Sequence, residues 1–379
     1  MRVMISCGEP SGDVYAAALA RAIAEQDPSA QITGFGSQRL RDAGATLVAD
    51  FEGLSVTGLL EVARVLPRTY AVYRKLIAEA EANRPDVFVA IDFPDFNFRL
   101  ANRMRRLGVP VVYYISPQLW AWRPGRLRTL KRIADHVLVI FPFEEEIYRN
   151  ARMPVTWVGH PLLDVMAPPE PREQFLARHG LTPDRPVVAL LPGSRTNELR
   201  AILPGLAGAA QIIKAALPET QFLLARAPHL DDALLSPIQQ TGLDVRVLQG
   251  ETDGVLASAD VALVASGTVT VQAALHECPM VVVYRLSPLT YRLGRPFVQV
   301  DTFAMANLVA GHKVVPELIQ DDFTPHAVAV QALTLLQDRA AVSRMRAELR
   351  VVKARLGQPG ASRRAAEAVL ATARSQRLE

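Results

Sequence analysis

Cysteine is scarce in this sequence, long apolar runs are missing, and no dense basic stripe occurs. The two cysteines, Cys7 and Cys278, lie in opposite halves of the 379-residue chain. They form no C-x-x-C pair, which excludes a disulfide scaffold and suits a reducing compartment. No stretch approaches the roughly 18 apolar residues of a spanning helix, so a transmembrane chain is not expected, while surface attachment stays open. The short run Met1–Cys7 reads as a buried strand and not as a signal peptide. No Asp-x-Asp and no His/Cys/Asp cluster at metal spacing occurs, so neither a metal nor a cofactor is expected. Lys+Arg is 42 against Asp+Glu 38, a net charge of +4 spread thinly. No nucleic-acid partner is expected from such a distribution.

Half of the residues are hydrophobic and 21% are charged, a globular balance. The length predicts two domains. Short β-rich apolar runs alternate with helical patterns. In the first half they are Val3–Ser6, Gln31–Phe35, Val87–Ile91, Val109–Ile115, Val137–Ile140 and Val155–Val158. In the second half they are Val187–Leu191, Gln221–Ala225, Val245–Leu248, Val261–Ala265 and Met280–Tyr284. Apolar runs of this kind read as parallel strands buried on both faces, in βαβ units. The expected fold class is α/β, with two doubly wound sheets. A proline-rich connector at 159–173 separates them, and the Ala/Leu/Arg-rich tail is expected to be helical. The predicted division is 1–160, 161–325 and C-terminal helices over 326–379. Ligands of open α/β sheets bind beyond the carboxyl ends of the strands, so the cleft between two such domains is the default active site.

Most of the chemistry-bearing motifs follow predicted strands. Gly8-Glu9-Pro10-Ser11-Gly12-Asp13 joins the first strand to a helix expected near Val14. Glycines let a ligand approach the backbone, and a helix start offers N–H groups to an anion. The same stretch also reads as a plain turn capped by Ser11. Ala90-Ile91-Asp92-Phe93-Pro94-Asp95-Phe96-Asn97 places Asp92 directly after a wholly apolar strand. A partly desolvated carboxylate there suits proton abstraction, and the alternative is a cap on a turn around Pro94. Leu191-Pro192-Gly193-Ser194-Arg195, followed by Glu198, offers N–H groups from Gly193 and Ser194 and a guanidinium fork. Ala265-Ser266-Gly267-Thr268 opens another helix, with Gln272 one turn inside. Two such helix starts with Arg195 suit a diphosphate, whose charge Arg195, Arg285 and the helix ends would neutralise.

Two further stretches carry aromatic or apolar surplus. Thr57–Lys75 has apolar residues at Leu59, Val62, Leu66, Tyr70 and Tyr73, broadened by Leu60, Ala63 and Val65, with Arg64, Arg68, Arg74 and Lys75 beside them. The stretch reads as a core-packed helix or as one lying in a bilayer interface, kinked or split at Pro67. Tyr113–Arg123 concentrates aromatics that suit either a sugar or acyl pocket or the core.

These residues closely resemble the lipid-A-disaccharide synthase family, glycosyltransferases of lipid A assembly. The matching stretches are Gly-Glu-Pro-Ser-Gly-Asp at 8–13, Ile-Asp-Phe-Pro-Asp-Phe-Asn at 91–97, Ser-Pro-Gln-Leu-Trp-Ala-Trp-Arg at 116–123 and Gly-His-Pro at 159–161. Leu-Pro-Gly-Ser-Arg at 191–195, Ala-Ser-Gly-Thr at 265–268, Cys-Pro-Met-Val-Val-Val-Tyr-Arg at 278–285 and Ala-Asn-Leu-Val-Ala-Gly at 306–311 complete the series, in family order.

The resemblance implies a GT-B fold of two facing Rossmann-like domains, the first binding acceptor and the second UDP-sugar. It implies metal-independent, inverting transfer from UDP-2,3-diacylglucosamine to 2,3-diacylglucosamine 1-phosphate, giving a β-1,6-linked disaccharide 1-phosphate and UDP. By position, Asp92 matches the family's proposed catalytic aspartate and Arg195 a functionally important arginine. Ser266–Thr268 and Asn307 fall where the family handles UDP, and Glu9, Ser11, Gly12 and Asp13 form the acceptor-side loop. Residues 58–75 match a hydrophobic patch used for membrane contact, implying a cytoplasmic protein bound to the inner face of the inner membrane. A homodimer through the C-terminal helices accords with the family. Where the family usually has Glu, this chain has Gln272, which keeps an acceptor oxygen for a ribose hydroxyl and loses a charge-assisted bond. The rival readings are a UDP-N-acetylglucosamine 2-epimerase-like enzyme, which needs no lipid acceptor, and a non-catalytic nucleotide-sugar binding protein.

Overall fold

The structure, a computed structural model, describes residues 1–51, 59–117, 125–166, 168–228, 230–286 and 302–375, and for 59–65 the backbone. The chain divides into two compact units, Met1–Val165 with Leu356–Glu379, and Met166–Arg355. Each is a parallel sheet with helical crossovers.

The first unit contains β1 (Arg2–Cys7), β2 (Gln31–Gly36), β3 (Thr46–Asp50), β4 (Val87–Ile91), β5 (Val111–Tyr114), β6 (His136–Val139) and β7 (Val155–Trp157). Their spatial order is β3-β2-β1-β4-β5-β6-β7. Between them run α1 (Pro10–Gln26), α2 (Gln38–Asp42), α3 (Leu59–Ala82), α4 (Pro94–Arg106), α5 (Arg126–Ile133), α6 (Pro142–Asn150) and α7 (Leu162–Val165). The second unit opens with α8 (Arg172–Arg178). It continues through β8 (Val187–Leu191), α9 (Thr196–Ala216), β9 (Gln221–Arg226), α10 (Ser236–Gln239), β10 (Val245–Gln249) and α11 (Thr252–Ser258). Then come β11 (Val261–Ala265), α12 (Thr268–Leu275), β12 (Met280–Tyr284), α13 (Met305–Ala310), β13 (Glu317–Ile319), α14 (Pro325–Gln337) and α15 (Arg339–Arg355). Its sheet order is β10-β9-β8-β11-β12-β13. The last helix, α16 (Ala361–Ser375), belongs to the first unit.

The central strands are where the apolar runs predict them. Every residue of β4, β8 and β11 is buried, as a strand covered by helices on both faces requires. Two strands were not predicted, β3 and β13. Both are edge strands of intermediate burial, so neither shows a continuous apolar run. Helix α3 runs through Pro67 without a break, although proline removes the N–H that would bond the Ala63 carbonyl. The helical tail is divided, with α14 and α15 in the second unit and α16 in the first.

Polar contacts seat α16 on the first unit. Asp164 accepts the Gly360 and Ser362 N–H groups at 2.5 and 2.6 Å, and Arg364 Nε donates to the Val158 carbonyl at 2.8 Å. The His160 N–H donates to the Leu356 carbonyl at 2.9 Å. The His160 ring is buried against Tyr15 and Phe141, and its Nδ1 accepts the Leu162 N–H. His160 is thus a structural residue of the connector. Burial lowers its pKa from 6.5 to about 3. The folded state therefore holds the neutral ring, and its contribution is complete above the unfolded pKa. It is lost as pH falls from 6.5 towards 3, at up to about 1.4 kcal/mol per pH unit. Replacing His160 by Asn should make unfolding free energy less steep in pH between 6 and 4, measured by urea denaturation (about one proton less in the slope). Identical slopes in both proteins would contradict this.

Candidate active site

In each sheet the strand order reverses between two neighbours, β1 and β4 in the first unit and β8 and β11 in the second. Such switch points leave a crevice at the carboxyl ends of the strands. The four motifs beginning at Gly8, Asp92, Pro192 and Ser266 follow these four strands. The topology thus brings the motifs together in pairs, one pair per unit.

Asp92 and Phe93 are consecutive non-glycine residues with positive φ, 45° and 48°. Such backbone costs about 1–3 kcal/mol per residue and persists only where neighbours enforce it. Here they do. The Asp92 N–H continues the ladder to the Tyr114 carbonyl at 3.3 Å. The Asp92 carbonyl accepts from Asn97 Nδ2 at 2.8 Å and from the Tyr113 hydroxyl at 2.9 Å. Asn97 is fully buried and also donates to the Ser6 and Ile91 carbonyls, both at 3.2 Å, while its Oδ1 accepts from Ser6 Oγ at 2.7 Å. Phe93 caps α4, and Pro94 occupies the first helical position, where a missing N–H costs nothing. Asp92 is half-buried. Its charge reaches Tyr15 and Tyr113, whose hydroxyls are pushed above the ordinary range, first by burial and then by that carboxylate.

The Gly8 turn packs directly on this loop. A Cβ at Gly8 would lie 2.3 Å from the Phe93 ring, so only glycine fits. Helix α1 begins at Pro10, four residues before the predicted start, with Glu9 and not Ser11 at the cap position. Proline at the first helical position explains the earlier start. Glu9 and Ser11 are partly exposed at this turn, while Gly12 and Asp13 are buried. Asp13 accepts the Ser37 and Arg39 N–H groups at 2.7 and 3.2 Å, so its carboxylate caps α2. Burial raises its pKa against the lowering effect of those bonds.

In the second unit, Arg195 caps α9. Glu198 accepts the Ser194 and Arg195 N–H groups at 3.0 and 3.3 Å, and its other oxygen accepts from Arg195 Nη1 at 2.9 Å. The helix start expected to face an anion thus carries an internal carboxylate. Only the acidic half of a capping box is present, a Glu three residues after the cap position whose carboxylate reaches back to the cap N–H. Gly193 has φ 113°, and a Cβ there would lie 2.5 Å from Glu198 Oε2.

The turn after β11 is tied down by Ser266, whose Oγ donates to the Phe303 carbonyl at 2.9 Å. Gly267 caps α12, and Thr268 is exposed at its first position. The partly exposed Gln272 side chain has no hydrogen-bond partner among the described residues. Two residues expected on the ligand side, Asn307 and Arg285, have partners within the protein. Asn307 is buried with its amide saturated, since Nδ2 donates to the Val315 carbonyl and Glu317 while Oδ1 accepts the Val314 and Val315 N–H groups. Glu317 also accepts the Phe303 and Ala304 N–H groups, both at 2.9 Å. Glu317, itself held by Asn307, therefore fixes the 303–304 segment that anchors Ser266. Arg285 donates to the Gln320 and Phe323 carbonyls and lies over the Phe323 ring, 4.8 Å from its centroid.

The candidate interfacial helix is α3. Leu66 and Tyr70 are 52% and 60% exposed, whereas Val72, Leu76 and Ala80 are buried. The side chains of Leu59, Leu60, Val62 and Arg64 lie outside the described residues, as do Gln118–Arg123. Arg68 stands 3.8 Å from Asp50. Tyr113 and Tyr114 are fully buried core residues of β5. No group of His, Cys, Asp and Glu among the described residues could hold a metal, and no helix among them is long and apolar enough to cross a membrane.

The Gly8 contact yields a test. Gly8→Ala should lower unfolding free energy by about 1–3 kcal/mol through overpacking. Phe93→Leu should restore part of that loss, measured by urea denaturation. Additive effects of the two substitutions would contradict the contact.

Comparison with known proteins accords with this architecture. The sequence profile of the lipid-A-disaccharide synthetase family matches residues 3–372. The lipid-A-disaccharide synthase of Geobacter sulfurreducens is 42% identical over 373 residues, spanning 97% of this chain and 96% of the relative. That of Koribacter versatilis is 43% identical over 383 residues, spanning 98% and 99%. Among solved structures, a UDP-GlcNAc 2-epimerase from Neisseria meningitidis bound to UDP-GlcNAc superposes with a TM-score of 0.69 at 13% identity, covering 98% of this chain and all (100%) of that one. The glycotransferase of kitacinnamycin gives 0.64 at 19%, covering 98% of each. At such identities the likeness is one of fold, the GT-B arrangement of two parallel-sheet domains. The family profile and the relatives of high identity, each spanning nearly the whole chain, show that it belongs to the lipid-A-disaccharide synthase family.

Proposed function

We propose that this chain transfers a diacylglucosamine unit from UDP-2,3-diacylglucosamine to the 6-hydroxyl of 2,3-diacylglucosamine 1-phosphate, with inversion at the anomeric carbon. The observation that carries the reading is the Asp92 turn. A half-buried carboxylate stands at the switch point of the first sheet on backbone that costs energy to hold, in a chain of this family. Strain of that kind clusters at functional sites.

In the proposed reaction Asp92 takes the proton of the acceptor hydroxyl as its oxygen bonds to the anomeric carbon. The bond from that carbon to the diphosphate oxygen breaks, and UDP leaves with the electron pair. The sugar passes through an oxocarbenium-like state, as in glycoside hydrolysis. Arg195 and the start of α12 stabilise the charge of the leaving diphosphate. Ser266, Gly267, Thr268 and Gln272 contact the nucleotide, while Asn307 and Arg285 hold the backbone beneath them. Glu9 and Ser11 border the acceptor.

Helix α3 places the enzyme at its lipid substrates. Leu66 and Tyr70 supply exposed apolar surface, and on another face of α3 a groove of about 270 Å³ against β3 is lined by Arg41, Arg68 and Lys75 together with Asp50. Apolar surface flanked by cations suits the anionic inner face of a membrane.

Asp92→Asn should fold as the parent does and lose about 10²–10⁴-fold in turnover. Near-parental turnover would remove Asp92 from the chemistry. Arg195→Ala should weaken UDP-sugar binding by about tenfold or more, and unchanged affinity and rate would refute its phosphate role. The pair Leu66→Ser and Tyr70→Ser should reduce sedimentation with phosphatidylglycerol vesicles while leaving thermal unfolding unchanged. Undiminished sedimentation would return α3 to an ordinary packing role.

A further inference from the structure

The Asp92 carbonyl oxygen has two lone pairs, and both are taken by side chains from different elements, Asn97 on α4 and Tyr113 on β5. The stretch Ile91-Asp92-Phe93-Pro94 contains no glycine that would adopt positive φ unaided. The conformation is therefore imposed from outside the turn. Rotation of the peptide that follows Asp92 would carry its carbonyl away from both donors and change the direction of the residue's side chain. Asn97 shares the two N–H bonds of Nδ2 among three backbone carbonyls within 3.2 Å, so it is part of the fold. Tyr113 differs. Its ring fills the core, and the one hydrogen bond of its hydroxyl among the described residues goes to the Asp92 carbonyl. The aromatic cluster at 113–123 includes it but does not foretell this bond, which arises from the parallel register that sets Ala90 beside Tyr113.

We propose that Tyr113 is a positioning residue for the reaction, its hydroxyl fixing the Asp92 peptide so that the carboxylate meets the acceptor hydroxyl in a productive geometry. The proposal rests on Asp92 as the base. Burial and the Asp92 charge keep the Tyr113 hydroxyl protonated, so it donates at every working pH.

The test uses the full-length protein with both lipid substrates. Tyr113→Phe removes one oxygen and keeps the ring. It should lower kcat by about tenfold, the equivalent of one well-placed hydrogen bond, with each KM within about twofold. In an Asp92→Glu background, where the carboxylate is already displaced, the same substitution should change kcat by less than about twofold. Tyr148→Phe is the control. Tyr148 is equally buried and its hydroxyl donates to Ser116 Oγ at 2.7 Å, so it loses a comparable bond that does not touch Asp92. It should leave kcat within about twofold.

Three outcomes would overturn the proposal. The first is parental kcat in Tyr113→Phe. The second is a full loss repeated in the Asp92→Glu background. The third is an equal loss in Tyr148→Phe. Parental turnover in Asp92→Asn would instead overturn the base assignment, and the positioning role with it.

Discussion

A parallel strand buried on both faces cannot carry a charge along its length, and this constraint shapes both units. Their central strands are apolar throughout, so polar chemistry is displaced to the carboxyl ends. Where the strand order reverses, two ends stand side by side without a crossover between them. The four glycine- and acid-bearing turns sit there because nowhere else in the sheet tolerates them.

The turns are held in two different ways. In several places a carboxylate satisfies backbone N–H groups, as Asp13 does at α2, Glu198 at α9 and Glu317 ahead of α13. These acids answer the unsatisfied donors of loops and helix starts and are consumed by that work. Asp92 is the opposite case. Neutral donors from Asn97 and Tyr113 hold its own carbonyl. Its main chain is restrained by other elements in a costly conformation.

Much of this was legible in the residues. Eleven apolar runs locate eleven strands, and β4, β8, β11 and β12 match to the residue. Edge strands β3 and β13 were hidden because a strand paired on one side needs no continuous apolar run. Among site residues, the sequence points to Asp92 through the apolar strand before it. The saturation of Asn307 and the anchoring of Arg285 were not readable. Both depend on carbonyl groups that folding brings near them from residues 315, 320 and 323. Tyr113 was hidden for the same reason, since its role is a product of strand register.

Fold and family carry different weight here. Epimerases and glycosyltransferases of the solved structures share the architecture at under 20% identity, so architecture alone does not choose a reaction. The family does, through relatives above 40% identity along nearly the whole chain. The most direct measurement is UDP release from UDP-2,3-diacylglucosamine, with and without 2,3-diacylglucosamine 1-phosphate. The account predicts release, with matching disaccharide 1-phosphate, only when both are present. Release at the same rate without the acceptor, or none with it, would contradict the account.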